Sequence, residues 1–309
     1  MRGRAQTALA LAALAACVLA VGFSAASFTD TEQNPQTVTA IADWVAPTAG
    51  ASEIAKTQGG AAGYIKASGA YRIYANVTES GNPASGTASV KADVSSITSS
   101  QTAVSLVAGS FEAGGVSYSY RSAELTAKSN LSTGSKNYTL TLADAAGNSR
   151  AQTFDVTVYG AFKGSGFDTD NVSGGAEGKA EPGDTVTFEF NNTPEPGTIA
   201  SGWTGSGAKS VTVSITDGGK EDSLAIGGSG VSIGSVALKG DYADGAATFS
   251  NSSMSLSGST VTVVLGTASG SPKTGAKAKP VWTPVASITD LAANACATTA
   301  VNGSNKKQF

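Results

Sequence analysis

The residues best placed to do chemistry are Asp168-Thr169-Asp170-Asn171, two carboxylates and an amide within four positions. Oxygen ligands at this spacing suit a hard cation, and extracellular modules use calcium held in this way to stiffen linkers. Calcium takes six to eight oxygens, so Glu181, Asp184, Asp217 and Asp241 complete a shell only if the fold gathers them. A solvated polar hinge is the simpler reading of the same four residues. Trp203, Trp282, Tyr118 and Tyr120 suggest a second chemistry, an aromatic platform for sugars. Such rings more often fill a core, each burying roughly 150–250 Å². The chain contains no histidine, which excludes Ser-His-Asp and Cys-His nucleophile systems and the usual His-containing zinc sites. Carboxylate pairs of the glycosidase kind and Ser-Lys arrangements survive that exclusion, but no spacing marks either. The chain is therefore read as a non-enzyme with no catalytic residues and no required cofactor.

Short alternating segments must position these groups. Tyr71, Ile73, Ala75 and Val77 share one face, with Arg72, Tyr74, Asn76 and Thr78 on the other. Tyr138, Leu140 and Leu142 repeat the habit, as do Phe154, Val156 and Val158. Later copies are Val186, Phe188 and Phe190, then Val211, Val213 and Ile215, then Val261 and Val263. Side chains of a strand point to opposite faces in turn, so this period puts one face inward and the other in water. Turn formers separate the segments, among them Ser80-Gly81-Asn82-Pro83 and Glu181-Pro182-Gly183-Asp184. Many short strands at this spacing predict an all-β fold of two β-sandwich domains in tandem, residues 45–160 and 161–309. The boundary falls near Gly160, where Gly160 to Gly166 predicts a flexible hinge. Asp144, Gly147 and Asn148 form one turn signature, and Asp290 with Asn294 a second. Ala293 stands where the second copy wants glycine, which predicts a different turn there.

The first residues give an address. Arg2 and Arg4 precede an uncharged Ala/Leu-rich run from Ala8 to Ala26, with small residues at Ser24 and Ala26 before Ser27. This is the pattern of a secretory signal peptide over residues 1–26, cleaved between Ala26 and Ser27. Two readings compete with it: Leu14-Ala15-Ala16-Cys17 fits a lipobox that would lipidate Cys17, and the run is just long enough to stay in the membrane uncleaved. After cleavage, residues 27–44 form an extended arm. Losing two arginines and no acids takes the formal charge from −3 to −5, against nucleic acid or anionic membrane as a partner. Only Cys17 and Cys296 occur, so the mature chain holds no internal disulfide, and Cys296 reads as a small buried apolar residue.

Ala25-Ala26-Ser27-Phe28-Thr29-Asp30-Thr31-Glu32 resembles the SipW-dependent type of signal peptide, found on Gram-positive surface and biofilm-matrix exports such as the TasA/camelysin fibre family. Tyr71 to Val77, Ser117 to Arg121 and the Asp144-to-Asn148 turn resemble an Ig-like module of secreted actinobacterial proteins. Glu181 to Phe190, Trp203 and Trp282-Thr283-Pro284 are similar to the second domain of such proteins, although Asn191-Asn192-Thr193-Pro194 departs from the Ser-Glu-Pro loop expected there. The resemblance implies two Ig-like domains and an extracellular, cell-surface location, and it assigns no activity. Expected partners are other surface or matrix proteins or a second copy, joined by strand addition through the arm. A secreted adhesin or carbohydrate-binding module that takes glycans is the alternative, and a carboxylate-based hydrolase the third.

Overall fold

The computed structural model describes residues 43–309. The Ala26–Ser27 junction, Cys17 and arm residues 27–42 lie outside them. The described part is all-β, built as two curled, nearly closed sheets, each around its own core.

The first sheet is made of β1 (Thr48–Lys56), β2 (Tyr64–Lys66), β3 (Ala70–Thr78), β4 (Thr87–Asp93), β5 (Val104–Ala113), β6 (Val116–Ser122), β7 (Leu125–Thr126), β8 (Gly134–Asp144) and β9 (Ser149–Tyr159). Its order is β1-β3-β6-β5-β4-β8-β9-β2, with β7 on β3. Neighbours pair antiparallel, except that β2 runs parallel to β9. Curling brings β1 against β9 without a ladder between them. Gln152 closes that gap: its Oε1 accepts from the Ala49 N–H at 2.6 Å and its Nε2 donates to the Ala49 carbonyl at 3.1 Å. One side-chain amide thus satisfies both backbone groups that an edge residue would leave bare. The alternation holds inside: Tyr71, Ile73, Ala75, Tyr138, Leu140, Leu142, Val156 and Val158 are all buried. Tyr74 departs from it, because the outer face of β3 carries a small second cluster with Ala55, Ala113 and Tyr118.

The second sheet comprises β10 (Phe162–Asp170), β11 (Thr185–Phe190), β12 (Lys209–Thr216), β13 (Ser223–Gly227), β14 (Ser235–Ala237), β15 (Ala243–Ser257), β16 (Thr260–Val264), β17 (Thr267–Pro272), β18 (Val281–Thr283), β19 (Cys296–Ala297) and β20 (Val301–Asn302), with one helical turn, α1 (Pro196–Ile199). Its order is β19-β10-β11-β16-β15-β12-β13-β14-β18-β20, and β17 pairs with β15 alone. Rings organise the core: Trp282 meets Phe188 and Phe190 edge-on at centroid distances of 5.1 and 5.2 Å, and Phe190 stacks on Phe162.

The expected flexible hinge is not formed. Only Gly160 and Ala161 separate β9 from β10, and residues 162–166 are strand. The glycines there serve close packing instead. A Cβ on Gly164 would lie 2.6 Å from the Trp282 ring, and one on Gly166 would collide with the Glu189 carboxylate. Composition alone does not separate a glycine that bends a chain from one that lets a ring approach it.

Candidate functional site

Asp168 and Asp170 lie two apart on β10 rather than in a loop, so both carboxylates project from one face of the strand. Lys306 fills the space between them, its Nζ 3.0 Å from Asp168 Oδ1 and 2.7 Å from Asp170 Oδ1. A lysine ammonium therefore supplies the positive charge at the pair. Asn171 follows the strand end, with its Oδ1 buried and accepting no hydrogen bond. The acids considered as further ligands are used elsewhere. Asp184 accepts from the Val172 and Glu181 N–H groups, Asp217 from Gly219 and Gly245, and Asp241 pairs with Lys273 at 2.7 Å. Burial raises the Asp184 carboxyl above its ordinary value, while the two backbone donors oppose that rise. Trp203 and Trp282 are buried in the second core, Tyr118 in the small cluster on the outer face of β3, and Tyr120 is half-buried, so these rings form no exposed sugar platform. Cys296 is buried as a thiol, and burial pushes its ionisation up.

The two signature turns prove to be the same device. In the first, Asp144 Oδ1 accepts from the Asn148 N–H at 2.8 Å and Oδ2 from the Asn148 side-chain amide at 2.7 Å, with Gly147 at φ +94°. The Asp144 N–H donates to the Asn148 carbonyl, closing the loop. In the second, Asp290 Oδ1 accepts from the Asn294 N–H at 2.8 Å, Oδ2 from its side-chain amide at 2.9 Å, and the Asp290 N–H donates to the Asn294 carbonyl. Ala293 takes the glycine position at φ +52°. The prediction of a different turn is corrected: the Asp–Asn bonds set the backbone, and alanine accepts the left-handed conformation they impose.

That second turn is also the joint between the sheets. Its three central carbonyls face the first sheet: Leu291 accepts from the Ala61 N–H at 2.8 Å, Ala292 from Lys56 Nζ at 2.6 Å, and Ala293 from Lys66 Nζ at 2.7 Å. Gly60 permits the approach, since a Cβ there would come within 2.5 Å of the Leu291 carbonyl. Asn192 clamps the far side, donating to Asp290 Oδ2 at 2.8 Å and to the Gly160 carbonyl at 3.4 Å. Desolvation, with Lys66 adding repulsion, lowers the Lys56 ammonium from its ordinary value to about 8, and Asp290 opposes the fall. Sequence reasoning missed Lys56 and Lys66, because their partners are backbone carbonyls more than 200 positions away. The substituted loop at Asn191–Pro194 supplies part of this joint, which gives Asn192 a structural use.

One acidic cluster forms among the described residues, and it was not foreseen. Asp43, Glu79 and Asp144 bring carboxylate oxygens within 4.8 Å of one another at one end of the first sheet. Asp43 precedes β1, Glu79 follows β3 and Asp144 ends β8. Asp43 and Asp144 are 1% and 3% exposed, and Glu79 is half-buried. Asp43 Oδ1 accepts from the Val45 N–H, and its Oδ2 from the N–H and hydroxyl of Ser85; these bonds hold its carboxyl below the ordinary value. Only Asp144 stood out in the sequence, and then as a turn residue.

Comparison with protein-family models, with curated proteins and with solved structures found no match to this chain.

Proposed function

We propose that the chain is an exported, non-enzymatic structural or interaction protein of the cell surface or extracellular matrix, its two sheets being Ig-like domains in tandem. The observation that carries this reading is the joint. Two lysines, a backbone amide and a two-residue connection hold the sheets together through the Asp290–Asn294 turn. Such a coupling uses specific backbone hydrogen bonds to keep two modules at a fixed relation, which suits a spacer or assembly unit rather than a catalyst that opens and closes. The basic and apolar leader with the SipW-type junction supports export, and the absence of histidine narrows the catalytic options.

Assembly proceeds by strand addition from the arm of a neighbouring copy. The acceptor edge that fits best is β17, which bonds β15 on one side and whose residues Thr267 to Ser271 are exposed and uncharged. Sheet edges guarded against pairing carry Lys, other charges or inward-pointing charged residues, and β17 carries none along that stretch. The test is intact mass and size of the native secreted protein from medium and cell fractions. A mature chain starting at Ser27 that forms concentration-dependent multimers, lost when residues 27–42 are deleted, is the expected result. A dilution-independent monomer with the same start refutes the assembly step, and a diacylglycerol adduct on Cys17 refutes the processing step.

A further inference from the structure

We propose that Asp43, Glu79 and Asp144 form a calcium site that ties the beginning of β1 to the end of β3 and the β8–β9 turn. Charge balance is the first reason. Asp168 and Asp170 share Lys306, Asp241 and Asp244 share Lys273, Glu221 has Lys239 and Glu181 has Lys179. No lysine or arginine forms an ion pair with any of the three clustered acids among the described residues. Three carboxylates at this separation, two of them almost wholly out of water, repel one another unless a cation joins them.

The donor count is the second reason. Glu79 Oε1 accepts from the Ser80 and Gly81 N–H groups, which turns the carboxylate and leaves Oε2 sealed from solvent with no donor. A buried carboxylate oxygen without a partner is costly, and a metal ion satisfies it. The twin turn shows what the ordinary solution looks like. At Asp290 the spare carboxylate capacity is taken by the Asn192 amide, a donor contributed by a neighbouring segment. At Asp144 the neighbouring segments contribute Asp43 and Glu79 instead, two more acceptors.

Ligand chemistry selects calcium. Every group offered is a carboxylate oxygen, with no nitrogen or sulfur, which disfavours zinc and copper. Calcium–oxygen bonds of about 2.3–2.6 Å let one ion reach ligands that stand up to roughly 5 Å apart on opposite sides. The 4.8 Å limit on the cluster fits that span. Three carboxylates, some bidentate, supply half or more of a six- to eight-oxygen shell, and water completes it. Gly81 keeps the site open, because a Cβ there would collide with Asp43 Oδ1.

The experiment titrates calcium into the chelator-treated secreted protein by calorimetry and follows thermal unfolding with and without about 1 mM calcium, a concentration that suits extracellular sites. Glu79→Gln keeps the shape and removes one charge, Asp43→Asn is a second variant of the same site, and Asp168→Asn is the control at the lysine-filled pair. The expected result is one saturable site, a higher melting temperature with calcium, and at least a roughly tenfold weaker affinity in E79Q and D43N but not in D168N. In chelator, E79Q should melt higher than the parent, because the repulsion is relieved, and in calcium it should melt lower. Absence of saturable binding, or an affinity in E79Q and D43N equal to that of the parent, overturns the proposal. So does a melting temperature of the parent that calcium leaves unchanged.

Discussion

The equivalence of the two Asp–Asn turns can be tested by exchanging their left-handed residues. Ala293 at φ +52° pays roughly 1–2 kcal/mol for a conformation that disfavours a Cβ. Ala293→Gly removes that cost. It also gives the unfolded chain about 0.4–1 kcal/mol of extra entropy and deletes a half-buried methyl worth about 0.4 kcal/mol. The balance is a gain of about 0.5 kcal/mol, the reverse of the loss that Ala→Gly usually brings. Gly147→Ala works the same ledger backwards. Nothing lies within 4 Å of the added Cβ, so no clash or contact enters, and the strain less the entropy regained leaves a loss of about 1 kcal/mol. Differential scanning calorimetry on the two variants reads both signs. At roughly 2–4 °C per kcal/mol, A293G should raise the transition by about 1–2 °C and G147A lower it by about 2–4 °C. An A293G variant destabilised by more than about 1 kcal/mol, or a neutral G147A, would refute the idea that side-chain bonds impose one backbone on both turns.

Three further outcomes are expected. Trp282→Ala should cost about 3–5 kcal/mol, since the indole is fully buried, packs on Phe188 and Phe190 and donates to the Ile233 carbonyl at 2.9 Å; loss of near-UV circular dichroism from the second core reads it. Replacing Lys56 and Lys66 together by Met should speed amide exchange at Ala61, whose N–H bonds Leu291, while leaving the strands of both cores protected; unchanged exchange would show that the lysines do not hold the joint. Lys56 makes stability depend on pH with a definite sign. Its folded-state value of about 8 lies below the ordinary 10.5, so between those values the unfolded chain binds the extra proton and stability rises with pH. Urea melts at about pH 7.5 and 9.5 should show that rise, and Lys56→Met should flatten it. The comparison stops short of pH 10, because burial holds the Tyr71 hydroxyl up to about 12 and that group removes stability as the unfolded tyrosine ionises.

The strands were legible because burial follows the period of two. Val211, Val213 and Ile215, or Val186, Phe188 and Phe190, each fall inward as their alternation predicts. The glycine run after Tyr159 misled, because glycine signals either freedom or close contact, and here Trp282 and Glu189 decide for contact. Asp168 and Asp170 look like ligands in sequence, yet Lys306, 136 positions beyond Asp170, takes them. The acidic cluster gave no signal at all. Asp43 sat in a segment read as an arm, Glu79 before an ordinary turn, and Asp144 in a turn signature, and only the curl of the first sheet puts their oxygens together. The joint was hidden for a related reason, since a lysine that binds a carbonyl leaves no charge pattern to read.

The closure of the first sheet has a mechanical consequence. Ala49 lies beside Gln152, and Ile54 accepts from Gly63, whose carbonyl accepts in turn from Thr157. Strands β1 and β9 therefore run in the same direction along the seam. The chain arrives at the start of β1 and leaves at the end of β9, so tension on a tethered molecule would pull these two strands past each other lengthwise. Bonds strained in that direction fail together rather than opening one by one from an end, and forced unfolding is governed by the height of that barrier. A seam sealed by the Gln152 amide and the Gly63 bridge thus places a resistance to stretching where the molecule would be pulled.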